Sequence, residues 1–117
     1  MNSDIEILKL ILPEFLIENF NLTSFKNSEK KLHLYFEEKP IVPKEFIHIE
    51  LASKGFLNEI TIQNFPLGNK FVYLHIKRRR WTNKANGEIT KRDWTLLSKK
   101  NGTTTDFSTF FKEINKQ

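Results

Sequence analysis

The chain has 117 residues, enough for one domain (1–117) that buries a core without metal or disulfide support. It contains no cysteine, which excludes a disulfide framework, a thiolate zinc site and a thiol nucleophile. Its net charge is +5, yet the window from Lys70 to Lys100 holds ten Lys+Arg against two acids, Glu88 and Asp93; that window is +8 and the remainder −3, so the positive charge is local. The N-terminus lacks a charged start leading into an apolar run, and no run of about 18 apolar residues occurs, so a soluble cytoplasmic protein with no membrane partner is expected. Eleven phenylalanines predict an aromatic-rich core, and few glycines and prolines argue against disorder.

Ser3, Asp4 and Glu6 read as a helix start. Ile5, Leu8, Leu12, Phe15 and Leu16 then recur at helical spacing, interrupted by Pro13, which predicts two short helices or one kinked helix ending near Phe20-Asn21. Such a stripe is more often core than a partner groove. Leu22–Phe25 reads as a short strand, Lys26–Lys30 as a turn, and Lys31–Glu38 as a strand with Leu32, Leu34 and Phe36 on one face, together a hairpin. Pro40 and Pro43 break regular structure. Phe46–Gly55 fits a short helix closed by Gly55 or a strand, with its first half read as helix. Asn58–Phe65 reads as a strand around Ile60 and Ile62, and Pro66–Asn69 as a turn. Asn101-Gly102 ends the following hairpin, and Thr104 or Thr105 caps a C-terminal helix over 104–116, with Phe107, Phe110, Phe111 and Ile114 at i, i+3, i+4 and i+7. The expected class is α+β: a small antiparallel sheet with a projecting basic β-hairpin (70–98), flanked by N- and C-terminal amphipathic helices.

That hairpin concentrates the unusual chemistry. All four arginines and both tryptophans lie between Phe71 and Trp94. Alternation places Phe71, Tyr73, His75, Lys77, Arg79 and Trp81 on one face and Val72, Leu74, Ile76, Arg78, Arg80 and Thr82 on the other. Val72-Leu74-Ile76 anchors the strand; beyond Ile76 both faces turn polar, which predicts a ribbon extending past the body. Edge strands carry lysine against aggregation, but three consecutive arginines beside a tryptophan exceed that need. A two-residue turn at Asn86-Gly87 pairs Arg80 with Asp93, Arg79 with Trp94 and Trp81 with Arg92, one ion pair and two cation–π contacts. A four-residue loop pairs Arg79 with Arg92 and Arg80 with Lys91, which is repulsive, so the tight turn is expected. A three-residue loop with a glycine bulge is the main rival.

A basic ribbon fits the major groove, where arginine grips guanine edges or phosphates. The candidate nucleic-acid-binding residues are Lys77, Arg78, Arg79, Arg80, Trp81, Lys84, Lys91, Arg92 and Trp94. Aromatic rings among cations also suit unpaired bases, so single strands stay open. The bland alternative is that both tryptophans are half-buried and the arginines solvate a ribbon.

Catalytic groups are sparse. His33, His48 and His75 lie in apolar stretches with no local metal partner, Glu37-Glu38 point to opposite faces of a strand, and no Gly-rich phosphate loop occurs. Asp4, Asp93 and Asp106 do not supply the converging carboxylates of two-metal chemistry. A protein that is not an enzyme, with no catalytic residues, cofactor or metal, is expected.

Leu12-Pro13-Glu14-Phe15-Leu16, Leu32–Glu38, Ser53-Lys54-Gly55-Phe56, Glu59–Leu67, Tyr73–Thr82 and Arg92-Asp93-Trp94 together resemble the N-terminal-region proteins of bacterial insertion-sequence transposases encoded in two pieces. The likeness spans nearly the whole chain, and Lys77–Thr82 is its most specific part. It implies binding of double-stranded transposon ends, with catalysis in a separate DDE subunit as partner. Related single-chain transposases carry a cysteine-ligated zinc ribbon at a similar place; here the cysteines are gone, so hydrophobic packing must replace the metal. The leading expectation is a DNA-binding accessory domain acting through residues 77–94. The alternatives are a module docking on the catalytic subunit through Tyr35 and Glu37-Glu38, and a single-stranded nucleic-acid binder.

Overall fold

Pro13, with no N–H to give, divides the N-terminal segment. The computed structural model describes residues 2–63, 65–101 and 105–116. In it α1 (Asn2–Ile11) stops just before Pro13 and α2 (Glu14–Asn19) starts just after it. The Leu12 N–H donates to the Leu8 carbonyl at 3.0 Å, and the Leu16 N–H to the Pro13 carbonyl at 3.1 Å. The chain continues as β1 (Phe20–Asn27), β2 (Lys31–Glu38), a single 3-10 turn (Lys44–Phe46), β3 (Leu51–Phe56), β4 (Ile60–Ile62), β5 (Phe71–Lys77), β6 (Arg79–Asn83), β7 (Ile89–Thr90), α3 (Thr95–Asn101) and α4 (Thr105–Lys116). This is an α+β fold with helices at both ends of the chain.

β1 and β2 form the expected hairpin, with Phe20 opposite Glu38 and a bulge between Leu22 and Ser24. They belong to a four-stranded sheet ordered β1-β2-β5-β4. That sheet is mixed, not antiparallel throughout: β5 lies parallel to β2, with His33 beside Tyr73 and Phe36 beside Ile76. The connection from β2 to β5 is long enough for a parallel return because it carries β3 and β4. A second sheet, ordered β3-β6-β7, takes up the basic hairpin. The hairpin is therefore part of a three-stranded sheet and not an isolated ribbon.

The inward positions are those set by alternation. Leu34 and Phe36 of β2, and Val72, Leu74 and Ile76 of β5, are at most 1% exposed. Phe15, Leu16, Phe110, Phe111 and Ile114 cover that side of the sheet in one continuous core. The Phe15 ring centroid lies 5.2, 5.3 and 5.0 Å from those of Phe107, Phe110 and Phe111. Burying each such side chain stabilises the fold by roughly 1.5–3 kcal/mol.

Two elements depart from expectation. The helix expected in the first half of Phe46–Gly55 is only the 3-10 turn, and Gly55, with φ +86°, sits in an irregular stretch of β3. The returning strand expected to run through Trp94 to Leu97 ends at Thr90, and α3 replaces its last part. Asp93 favours the switch: its Oδ1 accepts the Thr95 N–H at 2.9 Å, an Asx turn leading into the helix in which the Ser98 N–H donates to the Trp94 carbonyl. Trp94 is 2% exposed and stacks on Phe20 at 5.1 Å. The cap at Thr104 or Thr105 falls outside the described residues and side chains. Among the described residues no helix is long and apolar enough to cross a membrane.

Candidate nucleic-acid interface

The parity that points Leu34 and Phe36 inward also points Glu38 inward, and that of Leu74 and Ile76 does the same to Arg78. Glu38 is 1% and Arg78 5% exposed, at the end of the core where the two sheets meet. The Glu38 carboxylate accepts the Arg79 N–H at 2.9 Å. This contact takes the strand out of the first sheet, and β6 begins in the second. Burial raises the Glu38 pKa, opposed by the Arg79 N–H and by the charges of Arg92 and Arg79. Burial lowers that of Arg78, and the Glu38 charge opposes it.

The other arginines are also held by the body. Arg79 donates through Nε to the Glu38 carbonyl at 3.1 Å and through Nη1 to Ser53 Oγ, and lies 4.6 Å over the Phe56 ring. Arg80 donates through Nε and Nη2 to the Lys54 carbonyl at 3.2 and 3.0 Å. Arg92 donates to Asn19 Oδ1 at 2.8 Å and lies 4.4 Å over Trp94. Trp81, 3% exposed, is as buried as Trp94. The nine candidate residues therefore do not share one outward face. Arg78, Trp81 and Trp94 are interior; Arg79, Arg80 and Arg92 are half-buried and engaged; Lys77, Lys84 and Lys91 remain exposed.

The hairpin register also differs from expectation. Trp81 faces Thr90 and Thr82 faces Ile89, and the Asn83 N–H donates to the Glu88 carbonyl at 2.8 Å. This is the four-residue loop, Lys84 to Gly87, and the pairs Arg80–Asp93, Arg79–Trp94 and Trp81–Arg92 do not form. Two asparagine side chains shape it: Asn83 Oδ1 accepts the Ala85 N–H and Asn86 Oδ1 the Glu88 N–H, each at 2.9 Å, while Gly87 supplies φ +74°. The repulsion that argued against this register is avoided because β7 stops at Thr90, before Lys91 and Arg92 come opposite Arg80 and Arg79. Lys84 instead meets Glu50 at 3.4 Å. Burial and the Arg78 charge lower the Lys91 pKa.

A second surface was visible in sequence only as alternation. On the side of the four-stranded sheet away from the helices stand His33, Tyr35, Tyr73 and His75. Tyr73 stacks on His33 (4.8 Å, 13°) and Tyr35 on His75 (4.4 Å, 11°). The two imidazoles meet at 2.8 Å, His33 Nδ1 to His75 Nε2, and His75 Nδ1 lies 3.3 Å from both Glu59 Oε2 and Thr61 Oγ1. A carboxylate only accepts, so in the neutral pair His75 turns its N–H to Glu59 and accepts from His33. Burial, followed by the charges of His75, Lys31 and Lys26, holds the His33 pKa below its ordinary value. Phe71, 57% exposed, stands on the same face, as do Lys26, Lys31 and Lys77. The proposed acidic docking face fares differently: Glu37 and Tyr35 are half-buried on this side, but Glu38 is inside.

Among the described residues no group of three or more His, Cys, Asp or Glu side chains is placed to hold a metal. No family model, curated protein or solved structure matches this chain.

Proposed function

We propose that this chain is a non-catalytic, nucleic-acid-binding accessory domain of a transposase, attached to transposon ends by charge while a separate DDE subunit cuts and joins DNA. The transposase context rests on the sequence resemblance. The observation that carries the binding is the surplus of outward lysines: Lys77, Lys84, Lys91 and Lys99 are exposed, and of these four only Lys84 has a carboxylate of the described residues within ion-pair distance. The internal engagement of Arg79 and Arg80 changes the expected mode. Arg80 already commits Nε and Nη2, an edge it would use to grip a guanine or a phosphate with two bonds, so contact shifts toward single lysine–phosphate attractions.

Titration of labelled duplexes, one carrying the element's ends and one of random sequence, at several salt concentrations tests this. The expected result is binding whose log–log salt slope is of order −0.9 per phosphate contacted. Replacing Lys84 and Lys91 by alanine is expected to lower that slope by about one per lysine. Equal affinity for both duplexes would remove end recognition, and no affinity for any nucleic acid would remove the whole reading.

Docking on the catalytic subunit is a second reading, and one observation favours it. Ile7, Leu10 and Ile11 of α1 are 58%, 84% and 56% exposed at i, i+3 and i+4, a stripe that α1 does not turn to its own core. Co-purification with the subunit, lost on Leu10→Asp, would move weight to it.

A further inference from the structure

The uncovered face of the four-stranded sheet has features that neither a duplex-binding hairpin nor a core requires. Five rings gather there: Phe71, Tyr73 and His75 along β5, His33 and Tyr35 along β2. Helices α1, α2 and α4 contribute their apolar residues to the opposite side. Each tyrosine has an imidazole on one side only. β4 stops at Ile62, opposite Leu74 and one position short of Tyr73, and beyond it the chain stays beside β5, where the Phe65 N–H donates to the Val72 carbonyl at 3.2 Å. Tyr35 has Ser24 as its neighbour on β1, a side chain too small to cover a ring.

Charge completes the surface. Lys26 stands opposite His33, Lys31 opposite Phe71, and Lys77 two residues beyond His75. The acids on this face are Glu37, beside Lys77, and Glu59, which faces His75. Cations thus lie at both ends of the ring cluster. Rings that take flat apolar groups, bordered by ammonium groups, match a chain of unpaired bases on a phosphodiester backbone. A duplex matches poorly, because its bases are stacked inside and present only edges.

We infer that the open sheet face, with Tyr35, Tyr73 and Phe71 as stacking rings and Lys26, Lys31 and Lys77 as phosphate contacts, is a binding site for single-stranded nucleic acid. It rests on the nucleic-acid-binding reading above and names a different surface and ligand form within it. At a transposon end such a site would hold a strand freed from its complement, while the lysines near the hairpin hold the duplex.

The test is a fluorescence-anisotropy titration with labelled oligothymidylate and, in parallel, a duplex of equal length. Phe71→Ala is the primary variant, since the residue lies at a strand end and its loss leaves the core intact; Tyr73→Ala is the second, with thermal unfolding of both as a fold check. The expected result is single-strand affinity reduced about fivefold or more by each variant, with duplex affinity unchanged and the loss retained in a folded protein. Lys26→Ala with Lys31→Ala is expected to flatten the single-strand salt slope. Single-strand binding equal to that of the parent in Phe71→Ala and Tyr73→Ala, or duplex binding without single-strand binding, overturns the inference and leaves the broader reading standing. Absence of binding to both probes overturns both.

Discussion

At Glu38 a carboxylate that is 1% exposed accepts the Arg79 N–H at 2.9 Å. Removing it leaves that donor without its partner, at a cost of about 1–3 kcal/mol. Glu38→Ala is expected to lose stability of that order in equilibrium urea unfolding, and Glu38→Gln less, because an amide oxygen still accepts the Arg79 N–H. A Glu38→Ala protein as stable as the parent would show that the carboxylate does not organise the cluster. His33 gives a pH prediction at the same scale. Its folded pKa lies below the ordinary 6.5, so the unfolded chain takes up the proton first as pH falls. The associated stability is fully present above 6.5 and declines as pH drops from 6.5 toward the lowered folded value. Thermal unfolding followed between neutral and mildly acidic pH should show that decline, reduced in His33→Gln; an unchanged slope in the variant would contradict the assignment.

Among the elements, the hairpin shows how far a pattern can be trusted. Alternation in Lys31–Glu38 and Phe71–Ile76 identified both strands and their inward residues, because burial of every second side chain is a property of the strand itself. It did not reveal that β2 and β5 run parallel, since direction depends on the connection and not on the pattern. The same parity, extended past the apolar run, points Glu38 and Arg78 inward, where both are buried. Reading the polar residues after Ile76 as an extension into solvent missed them. The turn differs for a related reason: the charge-pairing argument holds only if both strands continue to residue 94, whereas Asp93 bonds the Thr95 N–H, a helix starts there and the ladder ends at Thr90. Gly87 has a φ of +74° and no atom within 4 Å of where a Cβ would sit. Gly87→Ala should therefore cost about 1–2 kcal/mol from backbone conformation alone, measured by thermal unfolding; a neutral substitution would mean the loop is not held in this form.

Over the whole molecule, local charge in the sequence does not map to local charge on the surface. The window that is +8 in sequence spreads into a buried arginine at the sheet junction, three half-buried arginines on carbonyl, amide and aromatic partners, and lysines on several outward sides. The surplus that remains is lysine, which supports attraction to a phosphate backbone more than reading of base edges. The helices, the strands of the first sheet and the aromatic core were legible because each is set by a local period. The binding surface was not, because it depends on which face of that sheet the helices leave bare. The most direct measurement is a two-dimensional NMR titration of the labelled protein with a single-stranded oligonucleotide. Shifts are expected in the ring signals of Phe71, Tyr73, Tyr35 and His33, with the indole N–H signals of Trp81 and Trp94 unmoved. Shifts confined to those two indoles and the four arginine side chains, with the sheet face silent, would contradict binding at that face.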